Sequence, residues 1–213
     1  MEKKIFFKII TFIVVSLFAF SAAAQMNETK VRSFLDTTGE RLIGALGMED
    51  IDERYAVLDE VFKNNVDTIY MGKYVLGQYY RLLSDAQKER YHPLFNRYIK
   101  SLYKSYPIDF KTDEIGFEIL KVVVKDKFAD ATASIRLPEK YRTENMDRIK
   151  VEFVIHEKGG VFQVADLKIA DVSMLIALKN RFMQMIKDDE EEMEWFLEDF
   201  EDLVKSNEAN LEP

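Results

Sequence analysis

The chain has 213 residues, of which 47% are hydrophobic and 32% are charged, and it contains no cysteine. These values exclude wholesale disorder, a disulfide scaffold, a thiol nucleophile, and zinc or iron–sulfur sites that depend on cysteine. The formal net charge of −8 argues against nonspecific binding to nucleic acid or to anionic membranes.

Residues 1–24 predict a cleaved signal peptide. Three lysines precede an apolar run over residues 9–20, and Ala22-Ala23-Ala24 fits the cleavage pattern of signal peptidase. This run is shorter than the roughly 20 residues needed to span a bilayer, which disfavours a membrane anchor. Gln25 stands where a bacterial lipoprotein carries its lipidated cysteine. We therefore expect a soluble periplasmic chain, whose net charge becomes −10 once three lysines and one glutamate are removed.

Helical periodicity dominates from Val31 to about residue 106. Residues that commonly begin or end helices divide this stretch into four predicted helices. These boundary residues are Gly47, Asp50 or Asp52, Asp67, Gly77 and Ser84.

After Pro107 the apolar period changes to the alternation typical of strands. Four antiparallel strands are predicted near residues 119–124, 129–135, 149–156 and 161–169, with a hairpin turn at residues 157–160. Ser173 is predicted to cap a final helix, with an acidic continuation to Val204. This order predicts an α+β fold, in which an N-terminal helical lobe packs on a curved antiparallel sheet of about four strands, followed by a long C-terminal helix. We expect one domain over residues 25–205 and a tail over 206–213.

The residue patterns indicate little catalytic or metal chemistry. The two histidines, His92 and His156, form no zinc-binding pattern, and neither a nucleophile elbow nor a glycine-rich phosphate loop occurs. Ser173 follows Asp171, but a helix N-cap explains it without chemistry. The acidic run at 188–192 is interpreted as a solvated helix face, with a divalent cation or a basic partner as alternatives. We predict no catalytic residue, no metal and no cofactor.

Two segments of the chain resemble one protein family. They are DTIYMGKYVLGQYYRLLSDAQKERYHPLFNRYIKSLY at residues 67–103 and VFQVADLKIADVSMLIALKNRF at residues 161–182. Both are similar to the MlaC-type periplasmic phospholipid-binding proteins, also called the toluene-tolerance auxiliary family. The chain departs from the family pattern at Phe162, where tryptophan is usual, at Ala170-Asp171, where Glu-Gly is common, and at Lys179, which takes a tyrosine-like position.

The resemblance implies an NTF2-like α+β fold with a deep apolar pocket for phospholipid acyl chains. It also implies a shuttle between an outer-membrane lipoprotein complex and an inner-membrane ABC transporter complex, which together maintain outer-membrane lipid asymmetry. No nucleic acid partner and no stable membrane insertion are expected. A carrier in water must enclose the tails, because each exposed CH₂ group costs about 0.8 kcal/mol.

Strand parity and helix face select apolar candidates for the lipid pocket, and nearby polar side chains are candidates for the phosphate at its mouth. The apolar candidates are Tyr74, Val75, Phe95, Leu102, Val122, Val151, Phe153, Val164, Leu167, Val172, Leu175 and Ile176. The phosphate candidates are Tyr80, Arg81 and Arg181, although a structural ion pair explains Arg181 equally well.

Three other functions stay open at this point. The same fold can hold another hydrophobic ligand, such as a sterol-like or quinone-like molecule. It can also host acid–base catalysis, which requires a titratable group in the pocket, for example a buried Asp–His pair. A pure adaptor acting through its acidic helix would have a filled core.

Overall fold

The computed structural model describes residues 26–105 and 112–211, so the predicted signal peptide lies outside the described residues. The helices that precede the sheet are α1 (Glu28–Leu46), α2 (Ile51–Asn65), α3 (Thr68–Leu76) and α4 (Asp85–Lys104). The strands are β1 (Gly116–Lys125), β2 (Phe128–Arg136), β3 (Arg148–Lys158), β4 (Val161–Ile169) and β5 (Val172–Ser173). Helices α5 (Met174–Asp188) and α6 (Met193–Ala209) complete the α+β order predicted from the sequence. Short 3₁₀ turns occupy Gly77–Arg81, Thr112–Glu114 and Glu139–Tyr141.

The predicted helix boundaries are confirmed by capping contacts. The Asp50 carboxylate accepts hydrogen bonds from the backbone of the first turn of α2, and Asp67 does the same for α3. Ser84 and Gln87 form a reciprocal capping box at the start of α4. Gly77 ends α3 with a φ of 55°, a left-handed conformation that glycine adopts at little cost.

The five strands form one antiparallel sheet in the order β1-β2-β3-β4-β5. The predicted hairpin joins β3 to β4, where Gly159 and Gly160 have φ angles of 62° and 84°. The fifth strand, β5, adds to the expected four. It pairs only two residues, Val172 and Ser173, with the end of β4, too few for a periodic sequence pattern.

One face of the sheet packs against α1. Small side chains on β2 allow a close approach, and Gly39 of α1 lies so near β1 that an added Cβ would come 3.2 Å from the Phe117 ring. The buried members of this sheet core are Met26, Val31, Leu35, Val122, Ala129, Ala131 and Ile155.

The second core is built by helices. It contains side chains from α3 to α6, and its largest fully buried members are Tyr91, Tyr98, Phe95, Phe182, Phe196 and Phe200. Helix α6 runs parallel to α4, because Arg90 pairs with Glu194 and Glu201 while Arg97, two turns later, pairs with Glu208. We call this cluster the helical core.

The predicted long C-terminal helix is two helices, α5 and α6, which corrects the expectation of a continuous one. The chain turns at Glu190 and Glu191, whose φ angles are 55° and 65°. Five consecutive carboxylates at a helix C-terminus repel each other and oppose the helix dipole, which favours a break here. Burial and the neighbouring Asp199 raise the pKa of Asp189 in this turn. Helix α6 then continues to Ala209, past the predicted domain end at residue 205.

A polar cluster ties α2 to α4. Asp59 of α2 accepts a hydrogen bond from the Tyr103 hydroxyl and pairs with Lys100 at 3.0 Å and Lys104 at 3.4 Å. Burial raises the pKa of Asp59, but the hydrogen bonds from Tyr103 and Lys100 and the charges of both lysines outweigh it, so that the net pKa is lowered. Because the folded pKa lies below the unfolded one, the cluster stabilises the fold above the ordinary carboxyl pKa and loses this effect in acid.

We expect Asp59→Asn to remove part of the acid sensitivity of folding. Wild type and variant should differ most in free energy of unfolding near neutral pH, and the difference should shrink as pH falls through and below 3.8, the ordinary pKa of the group. Urea unfolding between pH 7 and pH 3 measures this. Asp85→Asn is the control, because Asp85 pairs only at the surface with Lys88. Parallel pH profiles for wild type and Asp59→Asn would contradict the expectation.

Candidate functional site

The helical core and the sheet meet along a seam at the start of α3, strand β4 and the start of α5. Val66 forms a parallel β-bridge with Val164, and the Asp67 backbone N–H donates to the Val164 carbonyl at 2.9 Å. The seam, as we use the term, consists of Val66, Asp67, Tyr70, His156, Val164, Asp166 and Ser173.

Asp67, a residue that is only 6% exposed, connects α3 to the sheet through its carboxylate. One oxygen accepts the Tyr70 backbone N–H at 2.9 Å and caps α3, and the other lies 3.0 Å from His156 Nδ1 on β3. The His156 ring stacks on Phe128 with centroids 4.7 Å apart, and the Tyr70 ring lies 5.6 Å from the His156 ring between centroids. Polar and aromatic contacts therefore hold α3 on the sheet.

Asp166 organises the turn from β4 into α5. One of its oxygens accepts the backbone N–H groups of Leu167 and Leu175, and the other accepts the Ser173 hydroxyl at 2.7 Å. The Ser173 oxygen in turn accepts the Ile176 N–H at 3.0 Å, which confirms the predicted N-cap. A single carboxylate thus sets the position at which α5 leaves the sheet.

The Asp67–His156 pair is the type of pair that an enzymatic function requires, but its contacts are structural. Both Asp67 oxygens are engaged in holding α3, and the histidine ring lies flat against Phe128. The Ser173 hydroxyl is likewise engaged by Asp166 and by helix capping. These contacts favour a role in positioning the helices over a role in catalysis.

An exposed apolar edge lies beside the seam. Val172 is 55% exposed and Ile176 is 51% exposed, and the two lie four residues apart around the N-cap of α5. Tyr74 of α3 is also exposed, with the Lys179 ammonium 5.1 Å from its ring centroid. Apolar side chains in water beside a cationic group suit contact with an amphipathic molecule.

The three residues predicted to contact a phosphate lie in different surroundings. The Tyr80 hydroxyl lies 2.9 Å from His92 Nε2, and burial together with the Lys73 charge lowers the pKa of His92. The Arg181 guanidinium lies over the ring of Tyr98, 5.6 Å from its centroid. Arg81 is exposed in the 3₁₀ turn after α3.

A polar depression of about 360 Å³ lies on the sheet face opposite α1. Its lining combines three lysines and two carboxylates, some of them paired, as in Lys125–Asp130 at 2.6 Å and Lys168–Glu152 at 3.6 Å, with apolar groups that include Phe153. This mixed, partly charged lining differs from the apolar pocket expected for acyl chains. The apolar pocket predicted from the sequence therefore stays a prediction.

Residues 26–105 and 112–211 include no group of acidic or histidine side chains suited to holding a metal ion. Over the same residues, no helix combines the length and apolarity needed to cross a bilayer.

The family of the chain is decided by comparison with known proteins. The sequence model of the MlaC protein family matches residues 44–202. This chain belongs to the MlaC family. The match begins in α1 and ends in α6, so it includes the whole seam and most of both cores.

A solved structure has the same fold as this MlaC-family chain. It is the phospholipid-binding protein from Ralstonia solanacearum in complex with a phospholipid, with a TM-score of 0.67. The similarity covers 84% of this chain and 97% of that chain, at 10% sequence identity. At this identity the likeness shows the fold.

The structure distributes the predicted lipid-binding residues of this MlaC-family chain over three environments. Those in the helical core are Val75, Phe95 and Leu175, with Tyr80 and Leu102 half-buried against it. Those on the sheet are Val122 and Val151, which are buried, and Phe153, Val164 and Leu167, which are half-buried. Those exposed to solvent are Tyr74, Val172, Ile176 and Arg181. Their role in binding stays a prediction.

Several residues of this region were missed at the level of sequence. Sequence patterns predict Asp67 only as a helix start and give His156 no partner, because the contact between the two joins positions that are distant in sequence. The strand register was the available signal, since it places His156 opposite Phe128 on an aromatic patch. The unpaired hydroxyl of Tyr98 is not predictable either, because periodicity does not reveal whether a buried hydroxyl finds a partner.

Proposed function

We propose that this chain is a periplasmic phospholipid carrier, exported by a signal peptide that is then cleaved. It takes phospholipid between outer-membrane and inner-membrane components of an ABC transport system and so maintains outer-membrane lipid asymmetry. The observation that carries the proposal is the MlaC family match over residues 44–202. The fold shared with a protein whose structure holds a phospholipid supports it.

The half-buried apolar side chains of the chain agree with this proposal. Leu102, against the helical core, and Phe153 and Leu167, on the sheet, are able to exchange their present contacts for contacts with acyl chains. The exposed edge at Val172 and Ile176 gives lipid tails or a lipid-bearing partner an apolar surface to touch first. The two cores are separate clusters, so a ligand between them need not disrupt either one.

Purification from the periplasm of a diderm bacterium, followed by lipid extraction, tests binding. We expect phospholipid to copurify in an amount approaching one molecule per chain, and delipidated protein to take phospholipid from vesicles. Recovery of another hydrophobic molecule in its place would indicate a carrier of different specificity. Failure both to copurify and to take up phospholipid would exclude the proposed function.

The shuttle role is tested separately by deleting the gene in its own host. We expect phospholipid to accumulate in the outer leaflet of the outer membrane, measured as lipid accessible to an external phospholipase. Complementation with the full chain should restore the wild-type level. If the chain binds phospholipid but deletion of its gene leaves the outer leaflet unchanged, the transport role is contradicted and the binding role stays intact.

A further inference from the structure

The helical core contains a tyrosine hydroxyl without a partner. Tyr98 of α4 is fully buried, and among the described residues its hydroxyl makes no hydrogen bond. Buried hydroxyls nearly always have a partner, because leaving one unpaired forfeits its hydration without compensation. Tyr91, another tyrosine of α4, shows the usual arrangement. It is equally buried, and its hydroxyl donates a hydrogen bond to the Gly72 carbonyl at 3.0 Å.

A cationic group, the guanidinium of Arg181, lies against the ring that carries this hydroxyl, 5.6 Å from the ring centroid. The Arg181 side chain is exposed, and no carboxylate of the described residues pairs with it. The ion pair that would explain Arg181 structurally is thus absent from residues 26–105 and 112–211. Burial raises the pKa of Tyr98 and the Arg181 charge only partly offsets this, so the hydroxyl stays protonated and able to donate.

We propose that the Tyr98 hydroxyl and the Arg181 guanidinium form a subsite for one phosphate group. Both are hydrogen-bond donors, and a phosphate oxygen accepts from a hydroxyl and a guanidinium at once. Arg181 reaches solvent and covers the tyrosine, so a phosphate meets the guanidinium first and gains the hydroxyl as the flexible arginine side chain shifts.

The surroundings of the pair suit a phosphate that carries apolar chains. Leu102 lies one turn from Tyr98 on α4, and Leu178 and Met185 lie one turn to either side of Arg181 on α5. All three are half-buried against the helical core. If the phosphate belongs to a phospholipid, these apolar side chains would contact the first part of its acyl chains. In this form the inference rests on the proposed function.

Matched tyrosine variants test the subsite. Tyr98→Phe removes only the unpaired hydroxyl, so the delipidated variant should melt at the wild-type temperature or about 2–4 °C above it. Tyr91→Phe makes the same chemical change where the hydroxyl is paired, and should melt lower while leaving lipid uptake by the folded protein unchanged. Arg181→Gln removes the charge at the surface. Tyr98→Phe and Arg181→Gln should each weaken uptake of phosphatidylglycerol from vesicles about tenfold.

Two further ligands separate the sources of phosphate. Diacylglycerol in the same vesicles has tails but no phosphate, and both variants should take it up as wild type does. Inorganic phosphate should raise the melting temperature of delipidated wild type, but not that of Tyr98→Phe or Arg181→Gln. Phosphatidylglycerol uptake equal to wild type in both variants would overturn the subsite. If the chain takes up no lipid at all, the proposed function fails, and the phosphate measurement alone decides the subsite.

Discussion

Replacing Phe182 by alanine is expected to lower the free energy of unfolding by about 3–5 kcal/mol. Phe182 is fully buried at the centre of the helical core. Its ring meets Phe95, Tyr98, Phe196 and Phe200 with centroid distances of 4.9 to 5.9 Å, mostly edge to face. Alanine would leave a cavity among four rings that belong to two other helices, α4 and α6, and cannot all collapse inward. Since small proteins are stable by only about 5–15 kcal/mol, this loss is large.

Urea unfolding followed by far-UV circular dichroism measures the change, with the midpoint shifted and the slope retained. Trp195→Ala is the control, because it removes an even larger aromatic ring from α6 that is 52% exposed. We expect the control to cost less than about 1 kcal/mol. Equal losses for the two variants would show that Phe182 is not at the centre of the core.

Replacing Asp67 by alanine is expected to cost about 2–3 kcal/mol. The variant loses the N-cap of α3 and leaves His156, which is largely buried, without its carboxylate. Asp67→Asn retains an oxygen to cap α3 and a polar side chain facing His156, so its loss should be smaller.

Hydrogen exchange separates the local effect from the global one. The amides of α3, beginning with Tyr70, should lose protection in Asp67→Ala more than those at the centre of β2, such as Ala131. Uniform loss of protection, or equal stability of the alanine and asparagine variants, would contradict a capping and anchoring role for Asp67.

The elements of the fold were predictable from sequence because their signals are local. Four residues cap the helices that follow them, namely Asp50, Asp67, Ser84 and Ser173. Each cap contacts a backbone N–H only two or three residues further along the chain, so the residue type at that position already predicts the helix start. The alternation of alanines in β2 likewise records one buried face. The break after Asp188 was missed because Met193, Phe196 and Phe200 continue a helical period, which does not reveal a left-handed turn before it.

The candidate site was less predictable, because it depends on contacts between distant parts of the chain. Periodicity correctly assigns Val75 and Phe95 to a buried face, but it does not state that they share the helical core while Val122 belongs to the sheet core. Asp67 and His156, or Tyr98 and Arg181, are brought together only by tertiary packing. The resemblance to the MlaC family predicts the phospholipid ligand, which residue patterns alone do not indicate. The family match over residues 44–202 confirms that resemblance.

Native mass spectrometry of the chain purified from a diderm periplasm tests the central claim, phospholipid binding, most directly. The account predicts a species heavier than the delipidated chain by the mass of one phospholipid, which on activation releases ions containing phosphate and fatty acyl groups. Only the ligand-free mass, in a folded protein that also fails to gain this adduct after incubation with phospholipid vesicles, would contradict the account.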